Sequence, residues 1–549
     1  MPLLALIFAM TAASASPGAD MILVNGKIWT GHPAQRFVES LAISGQRIVA
    51  AGSNNEIRKL QVPGTRVLDL KGKLVVPGFI DNHTHFVDGG FQLSRVQLRD
   101  AASPAEFARR IGDYARKIGP GKWIIGGNWD HELWSPVMLP TRQMIDAVTP
   151  DNPVFVSRLD GHMALANTAA LKASGITRNS VDPPGGTIVR DADGEPTGLL
   201  KDSAMGPIWP LIPSPTVSER MSAARAGLAE AARFGVTAFC DMSGGEAVED
   251  FRAYQRLLTE DALTARVYLF MPIDGYRRLV EAGIERTFGS PYLRIGGLKG
   301  FADGSLGSST AAFFEPFDDS PENTGLRSSG MIDGSLRVQA TDANLHQLQV
   351  AIHAIGDRAN DETLTIFESQ PDFRSRRFRV EHAQHLSPAL IKRFGAGRII
   401  ASMQPYHAID DGRWAEKKIG RQRAGSTYAF RSLLDAGAIL TFGSDWTVAP
   451  LDPIQGIYAA VTRQTIDGKN PKGWIPEQRI SVEEALRCYT SSNAYAMFMD
   501  NEIGRILPGM YADLAVLSDD LFTVKPDKLG ETNVVMTISG GKIVYEKKK

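Results

Sequence analysis

Residues 75–86 read VVPGFIDNHTHF, an apolar β-branched run broken by Pro77-Gly78 and ended by a His-x-His pair. Seven more runs of similar character follow it along the chain. They are GVTAFCDM (235–242), ARVYLFMP (265–272), RIGGLKGFADG (294–304), LQVAIHAIGD (348–357), FRVEHAQHL (378–386), RIIASMQPYH (398–407) and AILTFGSDW (438–446). Between them lie amphipathic stretches such as SERMSAARAGLAEAARF, YRRLVEAGIERTF, DETLTIFESQ, SPALIKRF and YAFRSLLDAG. Buried runs alternating with helical patterns imply parallel strands joined by crossover helices. Eight such units predict an α/β chain whose sheet closes into a (β/α)8 TIM-type barrel, with both faces of the sheet buried.

Outward from this core the pattern changes. Roughly 150 residues separate the first run from the second, too many for one crossover helix. An insertion over about residues 87–205 is therefore expected after the first barrel strand. It contains GKWIIGGNWDHELW, NPVFVSRLDGHMALANTAAL and PPGGTIVRDADGEPTG, the last reading as a hairpin with Asp193-Gly194 at its turn. It leaves from the C-terminal face of the barrel, where catalytic sites of such folds sit, and so is expected to serve as a lid or specificity wall. Both ends of the chain are rich in short strands, MILVNGKIWTG, SLAISGQRIVAAG and TRVLDLKGKLVVPGF before the barrel, GRILPGMYADLAVLS and VVMTISGGKIVYE after it. Isolated hairpins are marginal, so a small β-sandwich built from both termini is predicted, over residues 20–76 and 503–549, with the barrel over 77–502. Residues 1–19 are set apart: LLALIFAMTAA (3–13) followed by Ser14, Ala15 and Ser16 reads as a signal peptide, and hence export to the periplasm or beyond, although no Lys or Arg precedes the apolar run. A cytoplasmic chain with an apolar tail is the alternative.

Composition narrows the class of function. Among 549 residues, 60 basic and 61 acidic side chains leave a formal charge of −1, with no basic tract to hold nucleic acid. No apolar run approaches the ~20 residues of a membrane-spanning helix. The 2 cysteines, Cys240 and Cys488, are too few for a disulfide framework or a thiolate zinc site, and whether they pair is open. Oligomeric state is equally open, a homo-oligomer included. A small-molecule enzyme is the expectation.

Its chemistry is written in polar residues placed inside apolar runs. His83 and His85 end the first, Lys299 lies in the fourth, His353 in the fifth, His382 in the sixth and Asp445 in the eighth. Each falls at or near the C-terminal end of its run, and barrel strand ends converge. A lone buried His is more often a hydrogen-bonded core residue than a ligand. Ionisable groups delivered by five strands to one end are different: unpaired, each would cost several kcal/mol to bury, and a metal ion is the simplest shared partner.

The ordered set PGFIDNHTH (77–85), LKGFADGSLGSSTA (298–311), HAIGDRAND (353–361), EHAQHLSP (381–388), FGSDWTVAPLDP (442–453) and GRILPGMYADLAVL (504–517), with DGHMALANTAAL (160–171) in the insertion, resembles the amidohydrolase superfamily. The likeness is to its family 3 branch, which includes N-substituted formamide deformylases. It implies a binuclear centre of divalent ions, zinc foremost, with His83, His85 and Asp445 on the more buried ion and His353 and His382 on the second. Lys299, carboxylated by CO2 to a carbamate, would bridge both; an ammonium facing two dications would be repelled, whereas a carbamate is an anionic oxygen ligand. The implied activity is cleavage of a non-peptide carbon–nitrogen amide bond by a metal-bridging hydroxide, with Asp445 as general base and then acid. His162, Asp303 and Trp129 are the candidates for substrate contact, with His131 less favoured, and Asp357 reads as a helix cap. A mononuclear deaminase of the same superfamily is the main rival, but it lacks the bridging lysine and carries a Glu soon after the fifth-strand His. Here Ala354, Ile355, Gly356 and Asp357 follow His353, and the next Glu is Glu362. An ester or lactone substrate, or a non-catalytic relative, are the remaining alternatives.

Overall fold

The computed structural model describes residues 18–244 and 246–548; the expected signal peptide lies outside them apart from its last two residues. Ala19 already belongs to a strand, Ala19–Val24, so the folded part begins ahead of Asp20.

Each of the eight apolar runs contributes a barrel strand. In chain order these are β1 (Phe79–Thr84), β2 (Val236–Met242), β3 (Arg266–Pro272), β4 (Leu293–Phe301), β5 (Gln349–Ala354), β6 (Arg379–His382), β7 (Ile400–Met403) and β8 (Ile439–Phe442). Consecutive strands pair in parallel from β1 through β8. The seam between β8 and β1 closes through few bonds. Thr84 bridges Trp446, the Asp445 amide donates to the His83 carbonyl at 2.7 Å, and Asn82 Nδ2 donates to Thr441 Oγ1 at 2.7 Å. The result is a TIM-type barrel. Its interior is filled by Ile80, Ala238, Cys240, Met242, Tyr268, Phe270 and Ala351, plugged at the N-terminal end by Met497, Met499 and Ile503. Helices pack outside, as at Val217–Arg233, which starts at a Thr216–Glu219 capping box that satisfies the first free amides.

The run 75–86 is not one strand. Leu74–Pro77 pairs with Leu514–Leu517 and Lys27–Trp29 in a sheet outside the barrel, and only Phe79–Thr84 is a barrel strand. The hinge is Gly78, where a Cβ would stand 2.2 Å from Thr237 Oγ1, so no larger residue fits. The outer sheet has six strands drawn from both ends of the chain, and a second, four-stranded sheet comes from residues 19–69. Met21, Leu23, Leu41 and Ile43 of one sheet and Ile28, Val75, Leu514, Val516 and Ile538 of the other share one core, a sandwich.

The segment between β1 and β2 folds as its own layer. Six strands within residues 96–202 form a sheet over a core of Phe107, Ile111, Trp129, Trp134, Ile145 and Leu165. Its last two strands, Gly186–Arg190 and Pro196–Asp202, make the hairpin expected around Asp193-Gly194. Both cysteines are buried and free. Among the described residues no helix is long and apolar enough to cross a membrane.

Candidate metal centre and active-site cavity

Parallel strand ends bring the predicted ligands together. Register places Phe301 beside His353, and Ala354 beside His382, so β4, β5 and β6 present Lys299, His353 and His382 in neighbouring rows. The closing seam brings Asp445 to His83. Asp445 Oδ1 stands 3.2 Å from His85 Nε2 and 3.5 Å from His83 Nε2, and Lys299 Nζ is 3.3 Å from His83 Nε2. The ring centroids of His382 and His353 are 4.6 Å apart, and those of His382 and His83 4.9 Å. Reaching this geometry strains the backbone. His382, Ala383 and Asp445 sit at φ of 72°, 45° and 56°, a left-handed region that costs non-glycine residues about 1–3 kcal/mol and persists where surrounding structure enforces it.

Three imidazoles are each held by one nitrogen. His83 Nδ1 meets Glu381 Oε2 at 2.5 Å, His382 Nδ1 meets Gln404 Oε1 at 2.8 Å, and His353 Nε2 meets the Gly304 carbonyl at 2.9 Å. The second ring nitrogen of His353 and of His382 is left for another partner, and that of His83 meets Lys299 Nζ; anchoring one nitrogen from behind is how proteins orient metal-binding histidines. Glu381 is itself fully buried, receiving Arg379 Nε at 2.7 Å and Ser402 Oγ at 2.7 Å.

Electrostatics match this arrangement. Burial, together with the Lys299 charge, brings the His83 imidazole down to about 4, and burial with its charged neighbours holds His353 and His382 well below the usual range. All three are thus neutral, as metal ligands must be. Burial alone would raise the Asp445 carboxyl, but the imidazole cluster around it outweighs burial and lowers the group, with a hydrogen bond from His85, whose own imidazole is raised. Burial lowers the Lys299 amine to about 8. The fit to a divalent ion rests on Asp445 Oδ1, buried with no well-formed hydrogen bond and facing imidazole nitrogens, His85 Nε2 at 3.2 Å. Ligand atoms of His83, His85 and Asp445 lie within 4.8 Å of one another, as do those of a second triple, His382, His407 and Asp445. Carboxylate and neutral imidazole are a donor set suited to zinc and related ions.

Sequence reasoning misses His407 and Glu381. Both lie inside runs read as strands, RIIASMQPYH and FRVEHAQHL, yet His407 comes four residues after β7 ends, on the helix Pro405–Asp411. Its Nε2 is buried and without a hydrogen-bond partner.

These groups open into a cavity of about 800 Å³ between the barrel mouth and the inserted layer. His162 lines it, as expected, with its ring 4.8 Å from that of His353 and its Nδ1 2.7 Å from Asp202 Oδ1. Burial opposes protonation of His162, but Asp202 outweighs it and raises the imidazole above its ordinary value. Two other expected substrate contacts are corrected. Trp129 is fully buried in the core of the insertion, with its indole nitrogen donating to the Val156 carbonyl at 2.9 Å. Asp303 does not line the cavity; its carboxylate takes the amides of Ala312, Ile355 and Gly356 at 2.8–2.9 Å, fixing the loops after β4 and β5. Burial nonetheless raises that carboxyl to about 7. Asp357 likewise is no cap: it lies in the first turn of its helix and accepts the Phe314 amide at 3.0 Å. His131 is buried beside Arg158 in the joint between insertion and barrel.

A protein-family model described as amidohydrolase family matches residues 66–545. LONG AFTER FAR-RED 3 of Arabidopsis thaliana is 40% identical over 99% of this chain and 95% of its own length. The N-substituted formamide deformylase of Arthrobacter pascens is 28% identical over 96% of this chain and 98% of its own. Among solved structures, an uncharacterized metal-dependent hydrolase from Pyrococcus horikoshii OT3 superposes with a TM-score of 0.75, at 30% identity, covering 92% of this chain and 99% of that one.

Proposed function

The chain belongs to the amidohydrolase family of metal-dependent hydrolases, and from that membership we propose that it cleaves a non-peptide carbon–nitrogen bond in a small-molecule amide. The proposed centre is binuclear, with zinc as the metal. His83, His85 and Asp445 would hold one ion and His353 and His382 the other, and Lys299, as its carbamate, would supply an anionic oxygen ligand. The likeness to an N-substituted formamide deformylase over nearly the whole chain supports the amide bond. The observation that carries the reading is the buried Asp445 Oδ1, without a well-formed hydrogen bond, beside His83 and His382, each with one ring nitrogen anchored from behind.

When bound, divalent ions supply Lewis acidity, which acidifies water and polarises a carbonyl. The remaining work belongs to side chains. The Asp445 carboxylate takes a proton from the attacking water as the new carbon–oxygen bond forms. It then passes that proton to the amide nitrogen as the carbon–nitrogen bond breaks, so that a carboxylic acid and an amine leave. His162, which lines the cavity with its Nδ1 engaged by Asp202, donates to the carbonyl oxygen as negative charge gathers there. The inserted layer roofs the site and limits bulk water. At Lys299 the uncharged amine, which burial favours, attacks CO2; a nitrogen–carbon bond forms and one proton leaves to solvent.

The test is a panel of N-formyl and N-acyl amines presented to zinc-loaded protein, with metal counted by mass spectrometry. Release of amine and acid, about two ions per chain, and loss of turnover on chelation are the expected results. Turnover confined to esters and lactones, or undiminished after chelation, overturns the reading.

A further inference from the structure

The arginines that line or border the cavity share a pattern with one exception. Arg158 is paired with Asp160, Arg220 with Glu246 and Asp250, Arg99 with Asp410, and Arg413 with Asp130 and Asp410. Arg95 also lines the cavity and is half-buried, yet among the described residues it has no carboxylate within ion-pair distance and no side-chain hydrogen bond. Asp88, exposed on the same wall, stands outside pairing distance.

The place that Arg95 occupies is built for it. Its guanidinium lies 4.9 Å from the centroid of the Phe91 ring, which holds the plane while leaving its edge donors open. Its stem passes Gly126, where a Cβ would stand 3.0 Å from Arg95 Cδ and 2.3 Å from Gln92 Oε1, and where φ of +84° independently demands glycine. Phe91, Ile125, Trp209, Ile212 and Pro213 give the same cavity an apolar portion. A half-buried guanidinium whose donors have no protein acceptor is free to give them to an anionic ligand. Burial lowers its proton affinity, and the Asp88 charge offsets this only in part.

We infer that Arg95 is the subsite for an anionic group on the substrate, so that the amide cleaved carries a carboxylate at one end of an apolar body, as in an N-acyl or N-formyl amino acid with a hydrophobic side chain. This rests on the hydrolase reading above and adds the substrate class to it.

The probe pair is N-formylphenylalanine, as both enantiomers, and N-formylphenethylamine, which differ only by the carboxylate. With zinc-loaded protein, kcat/KM for the better enantiomer exceeds that for the neutral amide by roughly tenfold or more, the size of a charge-assisted hydrogen bond. Arg95→Met brings the ratio toward one, and Arg95→Lys recovers part of it. A second arm needs no turnover: calorimetric affinities of 3-phenylpropionate and 3-phenylpropanamide, in parent and variant. Tighter binding of the carboxylate that disappears in Arg95→Met supports the subsite even if neither formamide is hydrolysed, in which case it is the hydrolase reading that fails. Equal turnover of the two formamides by the parent, or carboxylate binding unaffected by Arg95→Met, overturns the inference.

Discussion

Glu381 does not line the cavity, yet it grips the His83 ring from behind while Arg379 and Ser402 hold it in turn. Burial would raise this carboxyl, but Arg379 and His83 keep it ionised, and its charge makes the opposite ring nitrogen a better donor to a metal. Glu381→Gln preserves shape and removes that charge. Metal affinity is expected to fall by about ten- to a hundred-fold, read by competition with a chromophoric chelator; an unaltered affinity would mean that Glu381 only fills space. Two ligand substitutions separate binding from proton transfer. Lys299→Ala should lose metal and turnover together, with partial rescue by added acetate, whereas Asp445→Asn should keep much of the metal and lose roughly 10²–10⁴ in kcat. Retention of near-parental kcat by Asp445→Asn removes it from proton transfer. The candidate ligands are legible in sequence because an ionisable residue at the end of a strand buried on both faces must find a partner, and five such ends converge. Glu381 is not, because its neighbour His382 already accounts for the polarity of that run. Trp129 misleads for a related reason: an aromatic between glycines and acids looks exposed in sequence, and only the insertion's own core shows where it goes.

At the scale of elements, all eight apolar runs became barrel strands, since a strand buried on both faces leaves an unmistakable continuous hydrophobic signature. What the periodicity could not mark was the break inside 75–86, where Leu74–Pro77 and Phe79–Thr84 are equally apolar but belong to different sheets. Nor did it reveal that the insertion is a six-stranded layer, because its strands are short and its glycines, Gly126 and Gly127, resemble loop punctuation. That layer has its own core, which makes its integrity separable from that of the metal centre. Trp129 packs near Phe107, at 6.3 Å between ring centroids, and donates to Val156. Trp129→Ala should destabilise the insertion by about 3–5 kcal/mol. Limited proteolysis is expected to cut within residues 96–202 faster than in the parent, with metal content unchanged. Cleavage spread evenly over the chain would show instead that the layer and the barrel unfold as one.

At the scale of the whole molecule, the sandwich and the barrel meet through a buried ion pair. Arg266, the first residue of β3, donates through Nε to Asp513 Oδ2 at 2.7 Å, just before the strand Leu514–Leu517 of the outer sheet. Its guanidinium carbon stands 3.9 Å from the Tyr511 ring centroid and 4.4 Å from that of Tyr292, so the pair is enclosed by aromatic faces. Both partners are nearly inaccessible, Arg266 at 1% and Asp513 at 4% exposure, and a charge left alone there has no water to turn to. Removing one member is therefore expected to cost about 3–5 kcal/mol, more than an exposed pair would contribute. Arg266→Ala should lower the midpoint of thermal unfolding by a few degrees, while Arg266→Met together with Asp513→Asn should recover much of the loss, because neither then buries a lone charge. The metal centre lies at the opposite, C-terminal end of the strands, so kcat at 25 °C should stay near the parental value in both variants. A fall in kcat without a change in the unfolding midpoint would show that the sandwich is coupled to the reacting end through the barrel, and not merely fastened to its base.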